Sequence, residues 1–123
     1  MDFTPRDEQR LLAESARRWV AARCGFDTWQ AERRAGRCLA DMRWSEMVGL
    51  GWAALALPEV EGGLGAGPVE CGVVAEALGA GLVAEPLLQS AVMGAALLRA
   101  LPASATRSTL ASDLAQGGRI AIA

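Results

Sequence analysis

The glycine-rich segment PEVEGGLGAG, residues 58–67, is the feature that most constrains how this chain can fold. It holds four of the fourteen glycines, a proline and two glutamates. Glycine adopts positive φ angles and lets neighbouring backbone approach closely, so such a segment favours a tight crossing between two regular elements. The functional alternative is a loop whose backbone N–H groups bind a phosphate or a dinucleotide.

The spacing of the glycines argues against the nucleotide alternative. The dinucleotide pattern G-x-G-x-x-G, started at Gly63 or Gly65, meets Pro68 or Glu70 where the last glycine should stand. The phosphate-loop pattern requires a lysine, and all twelve basic residues of this chain are arginines. The segment is therefore predicted to be a shaped structural turn.

Missing residue types narrow the chemistry further. The chain has no histidine, lysine, tyrosine or asparagine, which excludes a Ser-His-Asp triad, a His-liganded metal site and a Schiff-base lysine. We predict no catalytic, cofactor-binding or metal-binding residue within it. The net charge is −2 and no basic stripe unites the arginines, so no nucleic-acid partner is expected. The cluster of Arg23, Arg33, Arg34 and Arg37 is interpreted as a solvated loop.

Length and composition predict one domain with a modest core, because 52% of the 123 residues are apolar. Cys24, Cys38 and Cys71 lack C-x-x-C spacing, which favours reduced thiols over disulfides. The N-terminus is charged and no apolar run is long enough to span a membrane. These features predict a cytoplasmic protein without a membrane span.

The positions of the prolines and glycines, together with apolar residues at spacings of three and four, predict an all-α bundle of about five helices. Residues 25–40 are predicted as a loop that could contain a short helical turn, residues 52–59 as an extended segment and RIAIA as a strand stub. The helices are predicted over residues 5–24, 41–49, 68–79, 86–101 and 106–116. Residues 1–117 would then form the helical domain, and residues 118–123 the start of a β-rich domain.

The helix opened by Pro86 is apolar on more than one side. Such a helix either lies in the middle of a bundle or lines an apolar cavity, and the pattern leaves both readings open. Its apolar positions are Leu87, Leu88, Ala91, Val92, Ala95, Leu98 and Leu101.

The order of these segments resembles the N-terminal helical domain of the acyl-CoA dehydrogenase family. That domain reads L-G-W-x-x-L-x-x-P-E-x-x-G-G-x-G, followed by an E-x-L-G turn. The matching residues here are Leu50, Gly51, Trp52, Leu55, Pro58, Glu59, Gly62, Gly63, Gly65, Glu76, Leu78 and Gly79. The likeness extends from DFTPRDEQRLLAESARRWV to RIAIA, which is similar to the entry into that family's middle β-domain.

The resemblance implies a flavoenzyme that binds FAD, oxidises acyl-CoA to trans-2-enoyl-CoA and passes electrons to an electron-transfer flavoprotein. The family's catalytic glutamate and most of its FAD contacts lie in its middle and C-terminal domains, so Glu59, Glu70, Glu76 and Glu85 are not expected to act as the base. The family's proteins are dimers or tetramers, some of them with unlike subunits. This fragment would be inactive alone.

The same resemblance implies that the Pro86 helix contributes to the wall of the acyl tunnel. The residues aligned with acyl-facing positions are Glu85, Leu88, Gln89 and Val92. The EPLLQS sequence is similar to the branch of the family found in bacterial degradation of bulky or steroid-derived acyl-CoA. The resemblance as a whole implies fatty-acid or steroid side-chain degradation. Two other functions remain open: a non-catalytic subunit or stand-alone helical interaction module derived from this domain, and an unrelated bundle that binds an apolar ligand.

Overall fold

A computed structural model of the protein describes residues 4–37 and 41–122, and the described part is all-α, as predicted. Two short 3-10 turns, Trp52–Ala54 and Glu59–Glu61, join α3 to α4, and a π-helix over Leu87–Gly94 runs directly into α5. No described helix is long and apolar enough to cross a membrane. The six α-helices are α1 Asp7–Arg23, α2 Phe26–Arg34, α3 Asp41–Gly49, α4 Pro68–Ala80, α5 Ala95–Ala100 and α6 Ala105–Ala115.

Helices α1 and α4 pack against each other along their lengths. Ala16 of α1 is fully buried, and Leu12, Trp19 and Val20 pack around it, as their spacing predicted. Leu11 lies just outside this buried stripe and is 64% exposed. The helix begins at Asp7 rather than at Pro5. Its first turn is capped by the Gln9 side chain, which accepts a hydrogen bond of 2.9 Å from the Arg6 N–H.

The carboxylate of Glu70 joins the N-terminal ends of α1 and α4. It accepts hydrogen bonds from Arg6 Nη2 at 2.6 Å, from Gln9 Nε2 at 2.8 Å and from the Gly67 N–H at 3.1 Å. The hydrogen bond from Gln9 contributes most to holding the pKa of Glu70 below its ordinary value. A charged acceptor with three donors fixes the register of the two helices.

The segment Trp52–Leu57 forms the centre of the core, and all six residues are buried. The prediction of an extended segment here was wrong: the chain coils through a 3-10 turn and further turns instead. An extended strand would need a backbone partner on each edge, whereas the coiled segment directs six consecutive apolar residues into the core. Trp52 meets Trp19 edge to face, with ring centroids 5.5 Å apart.

The glycine-rich segment folds back onto this coil. The N–H groups of Leu64, Gly65 and Ala66 donate to the carbonyls of Ala54, Leu57 and Leu55, at 3.2, 2.8 and 2.9 Å. Gly62 and Gly63 donate within the segment. Every N–H group from Gly62 to Ala66 is therefore engaged, so these amides are not available to a phosphate. The segment is a structural crossover, as predicted.

Helix α2, of nine residues, occupies a region that was predicted to be a loop with at most a short helical turn. The sequence FDTWQAERR contains no proline or glycine, and it places Asp27 in the first turn and Arg33 and Arg34 in the last, which suits the helix dipole. None of its residues is buried. Its large apolar side chains, Phe26 and Trp29, form a single i, i+3 pair, and a pattern this short among charged residues did not predict a helix.

The segment predicted as a strand stub runs as irregular chain from residue 119 to residue 122. It has no neighbouring strand among the described residues; instead, the buried Ser90 hydroxyl donates to the Ile120 carbonyl at 3.0 Å and accepts from the Ile120 N–H at 2.9 Å. The division at residues 117 and 118 stays a prediction.

Two of the three cysteines fall within the described part of the chain, and both are free thiols there. Cys24 is half-buried and Cys71 is buried. Burial raises the pKa of both thiols, which keeps them protonated and weakly reactive. Cys38 lies outside the described residues.

We expect Gly63→Ala to lower the free energy of unfolding by about 3 kcal/mol, because the new Cβ atom would overlap the backbone carbonyl of Leu57 and that backbone cannot move without losing its own hydrogen bond. Chemical denaturation followed by tryptophan fluorescence measures the change. Gly72→Ala in α4 is the control, since a Cβ atom at Gly72 meets nothing within 4 Å. The control should stabilise slightly, as alanine does in helices; equal losses in both variants would contradict the explanation.

We expect Glu70→Gln to lower the free energy of unfolding by about 1–2 kcal/mol at neutral pH, because charge-assisted hydrogen bonds are lost. The pKa of Glu70 is lowered in the folded state, so its contribution is complete above the ordinary glutamate value of about 4.3 and is lost as the pH falls through the lower folded value. Denaturation at neutral and at acid pH should show the variant and the wild type converging in acid. Glu76→Gln, at an exposed position on α4, should change little at either pH.

Candidate functional site

A cavity of about 240 Å³ opens at the surface between the C-terminal half of α4, the turn that follows it and the start of the π-helix. The connecting turn is tight, with Gly81 packed against Val20 of α1 and Leu82 at a φ of 54°. Small and aliphatic side chains make up most of the wall. The lining residues are Ala75, Leu78, Gly79, Val83, Ala84, Glu85, Leu87, Leu88 and Gln89.

Three of the four residues predicted to face an acyl chain line this one cavity: Glu85, Leu88 and Gln89. Val92 is not among the lining residues; it is half-buried and packs against the hydrophobic core. The structure therefore brings three predicted residues together and places the fourth beside the core, one turn further along the helix.

The π-helix determines which of its side chains face the cavity. Leu87, Ser90, Ala91 and Gly94 face the interior, while Leu88 and Gln89 stay exposed. The sequence left open whether the helix opened by Pro86 lies in the middle of a bundle or lines a cavity. In the structure one side of this helix packs in the core, and the other side presents leucine and methionine side chains to the surface. The exposed apolar residues on this side are Leu88, Met93, Leu97 and Leu101.

Glu85 is held by a buried ion cluster, and its side chain is 0% exposed. Arg43 Nε donates to Glu85 Oε1 at 2.8 Å, while Arg43 Nη1 and Nη2 donate to the two oxygens of Glu32 at 2.6 and 2.9 Å. One guanidinium group thereby binds two carboxylates. It ties α3 to α2 and to the turn before the π-helix.

The pKa values of this cluster follow from those contacts. The hydrogen bonds from Arg43 hold the pKa of Glu32 below its ordinary value, and the bonds to Glu32 raise the pKa of Arg43. Glu32 and Arg43 are therefore charged at neutral pH. Glu85 is buried and its Oε1 atom accepts a hydrogen bond from Arg43, so the geometry gives this carboxyl group a structural role.

A second cavity, of about 220 Å³, lies on the other side of Ala84, which lines both. Its remaining wall comes from Trp29, Glu32, Arg33 and Arg37. The Arg33 guanidinium group stacks over the Trp29 ring at 5.3 Å from the centroid. Through Arg43, Glu85 in the wall of the first cavity is therefore joined to Glu32 in the wall of the second.

Sequence reasoning missed Glu32, Arg43 and Ala84. One signal for Arg43 was available: it precedes Trp44 and lies four residues before Met47 on α3, so a charge falls beside the buried face. A charge at such a position requires a partner. Glu32 carried no such signal because α2 itself was not predicted, and the location of Ala84 between two cavities depends on tertiary packing.

Comparison with known proteins agrees with this architecture. The model of the acyl-CoA dehydrogenase N-terminal domain matches residues 6–117. The chain is 33% identical over 121 residues to acyl-CoA dehydrogenase IpdE2 of Mycobacterium tuberculosis, an alignment that covers 96% of this chain and 36% of that protein. The chain thus spans about a third of that relative's length, and no solved structure gives a significant match. By the extent of the domain match, this chain belongs to the acyl-CoA dehydrogenase family and represents its N-terminal domain.

Proposed function

We propose that this chain forms part of the acyl-binding wall in an FAD-dependent acyl-CoA dehydrogenase, an enzyme that oxidises an acyl-CoA thioester to trans-2-enoyl-CoA. The observation that carries the proposal is the cavity lined by Leu88, Gln89 and the aliphatic residues of α4 and its following turn, within a domain of this family. The aliphatic part of this wall can pack against a hydrocarbon chain and exclude water from it, and the polar part beside it can contact a polar group.

The glycine-rich segment is not available to bind the phosphates of a flavin cofactor. The glycine-rich segment is the part of the chain most similar to a phosphate-binding loop, and the N–H groups from Gly62 to Ala66 are bonded to backbone carbonyls. In the proposed enzyme FAD is bound by other domains and supplies the oxidising group. This chain excludes water and orients the acyl group.

The buried cluster supports the proposed role of the wall. Arg43 anchors Glu85 directly beside Leu87 and Leu88, so the turn that closes one end of the cavity is held by charge-assisted hydrogen bonds. A rigid wall discriminates between acyl chains better than a flexible one, because misfits cannot be relieved by small movements.

The remaining parts of the proposal follow from the family. The substrate is an acyl-CoA from fatty-acid or steroid side-chain degradation, electrons pass to an electron-transfer flavoprotein, and the complete protein is a cytoplasmic homo- or hetero-oligomer. An alternative role, as a non-catalytic subunit or interaction module, is separated from this one by measuring bound flavin and enoyl product in the complete protein or its complex.

We expect Leu88→Trp in the complete enzyme to shift its preference toward shorter acyl chains. The larger ring would fill part of the cavity, and each excluded methylene should lower kcat/KM by roughly tenfold for the longest substrates that the wild type accepts. The measurement is kcat/KM across saturated acyl-CoA substrates from butyryl to hexadecanoyl.

Leu97→Trp is the matched control. Leu97 is 47% exposed, close to the 54% of Leu88, but does not line the cavity. Its chain-length profile should match that of the wild type. If both variants kept the wild-type profile, Leu88 would not contact the acyl chain and the proposed wall would be wrong.

A further inference from the structure

The cavity of Trp29, Arg33 and Arg37 extends the proposed acyl wall on its far side. Ala84 separates it from the cavity of Leu88 and Gln89, and the exposed methyl side chain of alanine is a low barrier between them. An extended ligand that fills the Leu88 cavity and passes over Ala84 would place its end beside Trp29 and the two arginines.

The charges around this second cavity favour an anion. Both oxygens of Glu32, the acidic residue of its wall, accept hydrogen bonds from Arg43. Arg33 and Arg37 have no carboxylate within ion-pair distance among residues 4–37 and 41–122. Arg37 lies close enough to Glu32 to help lower its pKa, yet it is not bonded to it. Together with Arg43 and Glu85, the region holds three guanidinium groups against two carboxylates.

The way in which α2 is held also favours a binding role for its side chains. The helix buries none of its residues, so it contributes little to the core. It is nevertheless held in place by the two hydrogen bonds from Arg43. The stacking on Trp29 restrains the Arg33 guanidinium group while leaving its N–H edge available to an acceptor.

We propose that the preferred substrate carries a carboxylate at the end of the acyl group remote from the thioester, and that Arg33 and Arg37 bind it. The Trp29 ring packs against the last methylene groups, and the carboxylate accepts hydrogen bonds from the guanidinium forks. This inference rests on the proposed function, because it requires the acyl chain to occupy the Leu88 cavity.

The test compares monocarboxylic acyl-CoA substrates with the monothioesters of dicarboxylic acids of the same carbon number, from hexanoyl and hexanedioyl to hexadecanoyl and hexadecanedioyl. Both kcat/KM and calorimetric affinity are measured in the complete enzyme. At the chain length that reaches the arginines, the wild type should prefer the dicarboxylic thioester by roughly tenfold, a modest factor because the site is open to solvent. The preference should weaken in high salt.

The double variant Arg33→Met with Arg37→Met should lose this preference, measured as the ratio of kcat/KM for the dicarboxylic and the monocarboxylic thioester of the same length. Arg34→Met, on the same helix but outside the wall of this cavity, should retain the preference. If monocarboxylic substrates were oxidised but no dicarboxylic partner were preferred at any length, or if the preference survived in the double variant, the inference would be overturned and the proposed function would stand. If neither class were bound or oxidised, both would be wrong.

Discussion

The contact on which the functional region depends is the guanidinium group of Arg43 held between Glu32 and Glu85. Removing charges from water is costly, and the cost is offset only when the geometry is good and the polar atoms are bonded. Here three of the guanidinium nitrogens donate to the two carboxylates at 2.6 to 2.9 Å. The cluster therefore ties α2, which has no buried residue, to α3 and to the turn before the π-helix.

The core and the candidate site are formed by different parts of the chain. Apolar burial centred on Trp52–Leu57 supplies the stability, and the glycine-rich segment covers that core by pairing with its backbone. The segment that carries the family pattern thus has its N–H groups from Gly62 to Ala66 bonded within the domain. The two cavities lie elsewhere, and Ala84, in the turn between α4 and the π-helix, lines both of them.

Sequence reasoning succeeded where one physical signal dominated. Helix α4 follows from Pro68 at its first position and from the buried Val74, Ala77 and Leu78, and α3 follows from the buried pair Trp44 and Met47. Reasoning failed where the signal was absent or ambiguous. The six apolar residues of Trp52–Leu57 fit a buried strand as well as a buried coil, and only tertiary packing decides between them.

The same distinction applies to the candidate site. Glu85, Leu88 and Gln89 were named from family resemblance. Arg43 was not, because its partners are distant in sequence: Glu32 lies 11 positions before it and Glu85 lies 42 positions after it. No local pattern encodes such a contact.

The hydroxyl of Ser90 has a mechanical consequence. It both gives and receives a hydrogen bond at Ile120, while it sits inside the π-helix whose first turn carries Leu88 and Gln89. Rewinding that helix to α-helical pitch would rotate Ser90 away from Ile120. The N–H and carbonyl groups of Ile120 would then both lose their hydrogen-bond partner. The pitch of the π-helix and the path of the chain at residue 120 are therefore coupled, so a change in one requires a change in the other.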